Sequence, residues 1–127
     1  MAFLIPQASA EAPISPELAP TGVFSTPTGI EAYVAQKALE SGLGASLYST
    51  LRYESGGWQN GQSYVKDPTG PNGREDSWGV CQIHLPSHPD VSKEQALDVE
   101  FCVDFTIQKF NEGKARLWTG YRLLFLK

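Results

Sequence analysis

Basic residues are the minority charge in this chain: ten Lys and Arg face fourteen Asp and Glu, a formal charge of −4. That balance argues against a nucleic-acid partner, which needs clustered cations, and against a polybasic membrane surface. Long apolar runs are also missing. The best candidate, Met1-Ala2-Phe3-Leu4-Ile5, is broken by Pro6, far short of the roughly 20 residues that cross a bilayer. Cysteine is limited to Cys81 and Cys102, too few for a zinc site, which takes three or four ligands at fixed spacing. One disulfide is open to an exported chain, subject to a Cα separation the sequence does not give; two buried free thiols are the expectation. No internal repeat is present.

A length of 127 residues suits one domain with a modest core. Residues 1–27 are rich in Pro, Ala, Ser and Thr, carry charge only at Glu11 and Glu17, and show no periodicity. They read as a disordered leader or linker. Within them Gln7-Ala8-Ser9-Ala10-Glu11 has the small-x-small form of a signal-peptidase site behind an apolar run that is too short. A truncated export signal and a plain Ala-rich tail fit it about equally.

The domain is expected over 28–127. Thr28-Gly29-Ile30-Glu31 has the form of a capping box, and Ile30, Tyr33, Val34 and Ala38 make a helical stripe up to Ser41-Gly42. A second helix carries Leu47, Tyr48 and Leu51. The brief connection between the two makes them neighbours. Trp58 to Ser77 is polar and rich in turn formers, with Ser63-Tyr64-Val65 between two turn clusters, and suits a long loop or a small β-hairpin. Loops of that length inside a compact domain are usually functional. An apolar run, Trp78-Gly79-Val80-Cys81-Gln82-Ile83, follows it. Ser92 and Gln95 match a capping box. Asp98 caps a longer helix to Asn111, with Val99, Cys102, Val103, Thr106 and Phe110 inward and Gly113 as its stop. The apolar end Leu123-Leu124-Phe125-Leu126 is a liability unless it packs on the core.

Glu54 stands out. Leu47, Leu51 and Glu54 are spaced i, i+4, i+7, so the acid closes an apolar stripe, and Gly56-Gly57 stop the helix just after it. The negative end of the helix dipole and desolvation by the stripe both favour the neutral carboxyl, raising its pKa towards that of a general acid. The competing reading is a solvated residue at a frayed helix end.

Three motifs occur in order: Glu54-Ser55-Gly56 at a helix end, Ser77-Trp78-Gly79-Val80-Cys81-Gln82-Ile83, and Trp118-Thr119-Gly120-Tyr121. Together they resemble the lytic transglycosylase domain of the lysozyme superfamily, over about Thr28 to Arg122. They are most similar to its small stand-alone members, in which Glu75-Asp76-Ser77-Trp78-Gly79 finds its counterpart. The resemblance implies an α+β, mainly α, lysozyme-like domain with a small hairpin or long loop beside a cleft. It implies cleavage of the peptidoglycan strand between N-acetylmuramic acid and N-acetylglucosamine, with a 1,6-anhydro product.

By the same resemblance, Glu54 matches the catalytic acid, Gln82 the sugar-contacting glutamine and Tyr121 a tyrosine hydrogen-bonded near the acid. Ser77 either touches sugar or holds its turn. His84 either touches substrate or, the favoured reading, is a hydrogen-bonded structural histidine. Trp58 and Trp78 offer stacking faces, with packing the commoner role. Asn60, Gln62 and Tyr64 are subsite candidates on polarity alone. The expected chemistry needs no metal or cofactor, the expected partner is the glycan strand, and the expected setting is a monomer outside the cytoplasm. A hydrolase is the first alternative, since Asp67, Glu75 and Asp76 lie in the loop that can bring a second carboxylate to Glu54. A non-catalytic glycan-binding module and a purely structural domain are the others.

Overall fold

The computed structural model describes residues 24–126; the leader expectation up to residue 23 and the apparent signal-peptidase site lie outside the described residues. Helix α1 spans Pro27–Ser41. It starts one residue before the expected capping box, because proline is preset for the first helical position and Thr26 caps it, Oγ1 accepting from Gly29 N at 3.0 Å. Glu31 therefore does not reach back to cap. Its carboxylate accepts instead from the Tyr48 hydroxyl at 2.5 Å, tying α1 to α2, Ala45–Glu54. Gly42, with φ +75°, turns the chain between them.

The stripes bury as their spacing demands. Ile30, Val34 and Ala38 of α1 and Leu47, Thr50 and Leu51 of α2 are buried, with Tyr33 packed at the edge. Ser92 and Gln95 form the expected capping box on the short α3, Lys93–Leu97. Asp98 caps α4, Val99–Asn111, whose Val99, Cys102, Val103, Thr106 and Phe110 face inward. A final helix, α5, covers Thr119–Phe125 and packs on α2. The apolar end stays partly open: Leu123 and Leu124 are exposed.

Two short strands, β1 (Ser77–Trp78) and β2 (Ile83–His84), pair antiparallel with Ser77 opposite His84 and Trp78 opposite Ile83. The hairpin thus forms after the long loop and not within it. The loop itself is held by isolated bridges, Gln62 with Trp78 and Lys66 with Arg74. Gly79 makes the connection between the strands possible. It has φ +84°, and a Cβ there would meet Ala96 O at 2.0 Å. The architecture is α+β and mainly α, with one small antiparallel sheet.

Cys81 and Cys102 are joined in a disulfide, their Cα atoms 5.8 Å apart. This overturns the free-thiol expectation. The hairpin connection packs on the first turn of α4, so two residues 21 apart in sequence arrive within bridging distance. Among the described residues no helix is long and apolar enough to cross a membrane.

Candidate active site

Glu54 is the last residue of α2, and Ser55 and the glycines Gly56 and Gly57 peel the chain away behind it. Its carboxyl does not extend into bulk water. The first turn of α5 lies over it, and Gly120 N donates to Glu54 Oε2 at 2.6 Å. The approach requires glycine: a Cβ at position 120 would sit 2.9 Å from Tyr53 Cδ1 and 3.1 Å from Glu54 Oε2. Burial raises the Glu54 pKa above the ordinary carboxylate range. The Gly120 bond opposes that rise, nearby Glu75 adds to it, and Arg122 lowers it. With Oε2 occupied by an amide hydrogen, the acidic proton belongs on Oε1.

Two pockets share Glu54. A cavity of about 250 Å³ is lined by Glu54, Glu75, Ser77, Gln82, His84, His88 and Thr119 among others. A broader one of about 890 Å³ runs along the long loop past Tyr53, Tyr64, Arg74 and Glu75. Glu54, Glu75, Gln82 and Thr119 line both, so they form the waist of one groove with the acid at its centre.

Gln82 stands in that waist through an unusual backbone, φ +51°, a left-handed conformation that non-glycine residues rarely take and that costs about 1 kcal/mol or more. Its side chain repays part of this by donating from Nε2 to Gly79 O at 2.9 Å and Gly61 O at 3.1 Å. The amide oxygen remains as the acceptor available to a ligand. The neighbouring loop is anchored twice more, by the disulfide and by Trp118 Nε1 donating to Cys81 O at 2.8 Å.

Ser77 is buried and bonds His84 Nδ1 at 3.1 Å. The pair fixes the strand register, and His84 still lines the smaller pocket. Tyr121 does not come to the acid. Its ring packs between Phe110 and Phe125, with centroids 5.5 and 5.3 Å away, and it lines neither pocket. α5 presents the backbone of the preceding residue to Glu54, and that rotation carries the tyrosine towards α4.

The aromatic candidates are packing residues. Trp58 is buried against Tyr48, and Trp78 donates to Asp76 Oδ1 at 2.7 Å with Lys93 over its ring. Asn60 bridges Leu97 O and Val80 N yet stays exposed along the broader pocket, whereas Gln62 is buried and fully engaged and is not free for a ligand. Tyr64 is open to solvent. Of the three acids in the loop, Asp67 binds Thr69 and Asp76 binds Trp78, whereas Glu75 faces the groove with Glu54.

Four site residues escape a sequence reading, Thr119 in the waist among them. Gly120 sits in the Trp118-Thr119-Gly120-Tyr121 segment, but nothing local signals a glycine needed for contact with a residue 66 positions away. Arg74 and His88 reach the groove only through the path of their loops. Burial and the Lys109 charge lower the His88 pKa, which favours a neutral ring in the small pocket.

Fold and site together define a small, mainly helical protein with a partly buried carboxylic acid at the waist of a groove. No protein-family model matches the chain, and no curated protein or solved structure matches it.

Proposed function

We propose that this protein cleaves the glycan strand of peptidoglycan as a lytic transglycosylase, with Glu54 as its catalytic residue. The observation that carries the reading is the state of that acid: partly buried, raised in pKa, held by Gly120 N, and lining both halves of the groove. A carboxyl so placed delivers a proton to the glycosidic oxygen between N-acetylmuramic acid and N-acetylglucosamine as positive charge develops at the anomeric carbon. The resulting carboxylate takes the proton of the muramoyl 6-hydroxyl, whose oxygen closes on C1. The C1–O bond to the leaving sugar breaks, a C1–O6 bond forms, and the proton count balances on Glu54. Gln82 supplies an amide oxygen to a sugar N–H or hydroxyl beside the acid.

A hydrolase is the second reading, and Glu75 is the observation that favours it. A second carboxylate in the same waist is suited to positioning water or to stabilising the oxocarbenium charge. The disulfide supports a setting outside the cytoplasm, where thiols oxidise and remain paired.

Mass spectrometry of the soluble products from purified sacculi tests both readings. Anhydro-muropeptides from the wild type, none from Glu54→Gln, and persistence in Glu75→Gln are expected. Reducing-end products that vanish in Glu75→Gln transfer the assignment to a hydrolase. Strand binding without turnover, equal in wild type and Glu54→Gln, reduces the protein to a glycan-binding module.

A further inference from the structure

The broad half of the groove has one permanent cation in its lining, Arg74. Its surroundings are built. Nη2 donates to Gln62 Oε1 at 3.1 Å, and Gln62, 8 % exposed, is itself fixed by Nε2 donating to Pro71 O at 2.7 Å and by Asn72 Nδ2 donating to its oxygen at 3.0 Å. The guanidinium carbon lies 5.0 Å from the centroid of the Tyr64 ring, a second, solvent-exposed contact on the same group. The ion pairs among the described residues are made by Lys37, Lys109 and Lys114, and none involves Arg74. An arginine next to Glu75 in an acid-bearing groove would ordinarily be neutralised by a carboxylate. This one is held in place by neutral groups, with most of its N–H donors unspent.

A guanidinium held at one nitrogen by Gln62 and without an acid partner presents a planar fork that matches a carboxylate in bidentate geometry. We propose that Arg74, positioned by Gln62 and Tyr64, is a carboxylate-recognition subsite that selects glycan strands bearing acidic substituents close to the bond to be cut. This rests on the reading of the groove as a glycan cleft and adds a substrate preference to it. Two sources supply such a carboxylate on a muramoyl unit: the lactyl acid itself where no peptide is attached, and the free carboxylates of a peptide stem. The Glu75 carboxylate repels a misplaced anion, so the arginine also sets the register of the strand along the groove.

The test uses the whole chain and four substrates: stem-bearing strands, the same strands with stem carboxylates amidated, strands stripped of stems by an amidase so that the lactyl acid is free, and neutral chito-oligosaccharides. KM and kcat are measured for wild type, Arg74→Gln and Arg74→Lys, with circular dichroism as the folding control. Binding of the same fragments is followed by calorimetry in the Glu54→Gln background. Wild type is expected to show a KM about tenfold lower for the acidic strand than for its neutralised form, as suits one charge-assisted bidentate contact. Arg74→Gln erases that ratio and Arg74→Lys restores part of it. Preference for the stripped strand over the amidated one assigns the lactyl acid; preference for intact stems alone assigns the peptide.

An unchanged acidic-to-neutral ratio in folded Arg74→Gln overturns the subsite while leaving Glu54 chemistry intact. Absence of turnover on every substrate, with fragment binding still weakened by Arg74→Gln, removes the glycosidase reading and keeps the subsite.

Discussion

Glu54 holds a hydrogen bond on one oxygen and has room for a proton on the other, and its neighbours set the balance. Because the folded pKa is raised, the native state binds a proton that the unfolded chain has released between the ordinary carboxylate value and the raised one. That contribution to stability is complete at low pH and disappears as pH rises through the folded pKa. Glu54→Gln is therefore expected to raise the unfolding temperature at pH 7 and to lose that advantage below the normal carboxylate range, while abolishing cleavage. In the wild type the rate falls as pH climbs through the same raised value; a flat profile there removes Glu54 as the proton donor. Thr50, one turn earlier, carries a buried hydroxyl with no hydrogen-bond partner. Thr50→Val, nearly isosteric, is expected to stabilise the fold by about 1 kcal/mol in urea denaturation. Gly120→Ala acts in the opposite direction. The added methyl forces Tyr53 and the Glu54 carboxyl apart at a cost of about 1–3 kcal/mol, and activity should fall more than stability alone explains.

At the scale of elements, the site exists because three segments with no sequence proximity are fastened together: the end of α2, the β1–β2 connection and the start of α5. The fasteners are the Gly120 bond and the Trp118 bond to Cys81 O, and the disulfide ties the β1–β2 connection to α4 as well. Closing a loop of this length restricts the unfolded chain by about 3 kcal/mol. Replacing both Cys81 and Cys102 with Ser should lower the urea midpoint accordingly, and wild type in reductant should approach the same midpoint; coincident curves with and without reductant contradict the pairing. Within the β1–β2 connection, Gln82→Gly relieves the left-handed backbone but removes the two donated bonds, whereas Gln82→Ala does only the second. The glycine variant should be the more stable of the two by about 1 kcal/mol, with both impaired in cleavage.

For the molecule as a whole, the helices were legible in advance and their assembly was not. Leu47 and Leu51 on α2, the α4 stripe through Phe110, and the Ser92–Gln95 box follow from spacing and side-chain chemistry that act within a few residues. Local signals competed at α1, where Pro27 and Thr26 outrank the Thr28 box. The hairpin was expected too early, because turn-rich composition marks where a chain bends but not which segments find partners.

Sequence alone determined where Glu54 ends its helix, since the stripe and the two glycines behind it are local facts. Tertiary structure decided what that acid meets: Gly120 N in place of the Tyr121 ring, Glu75 and not Asp67 or Asp76 across the groove, and Cys81 beside Cys102. Helix periodicity and capping depend on contacts a few residues apart, which the order of residues encodes directly. Which distant side chains share a wall depends on how whole elements pack, and many sequences with the same local pattern would pack them differently.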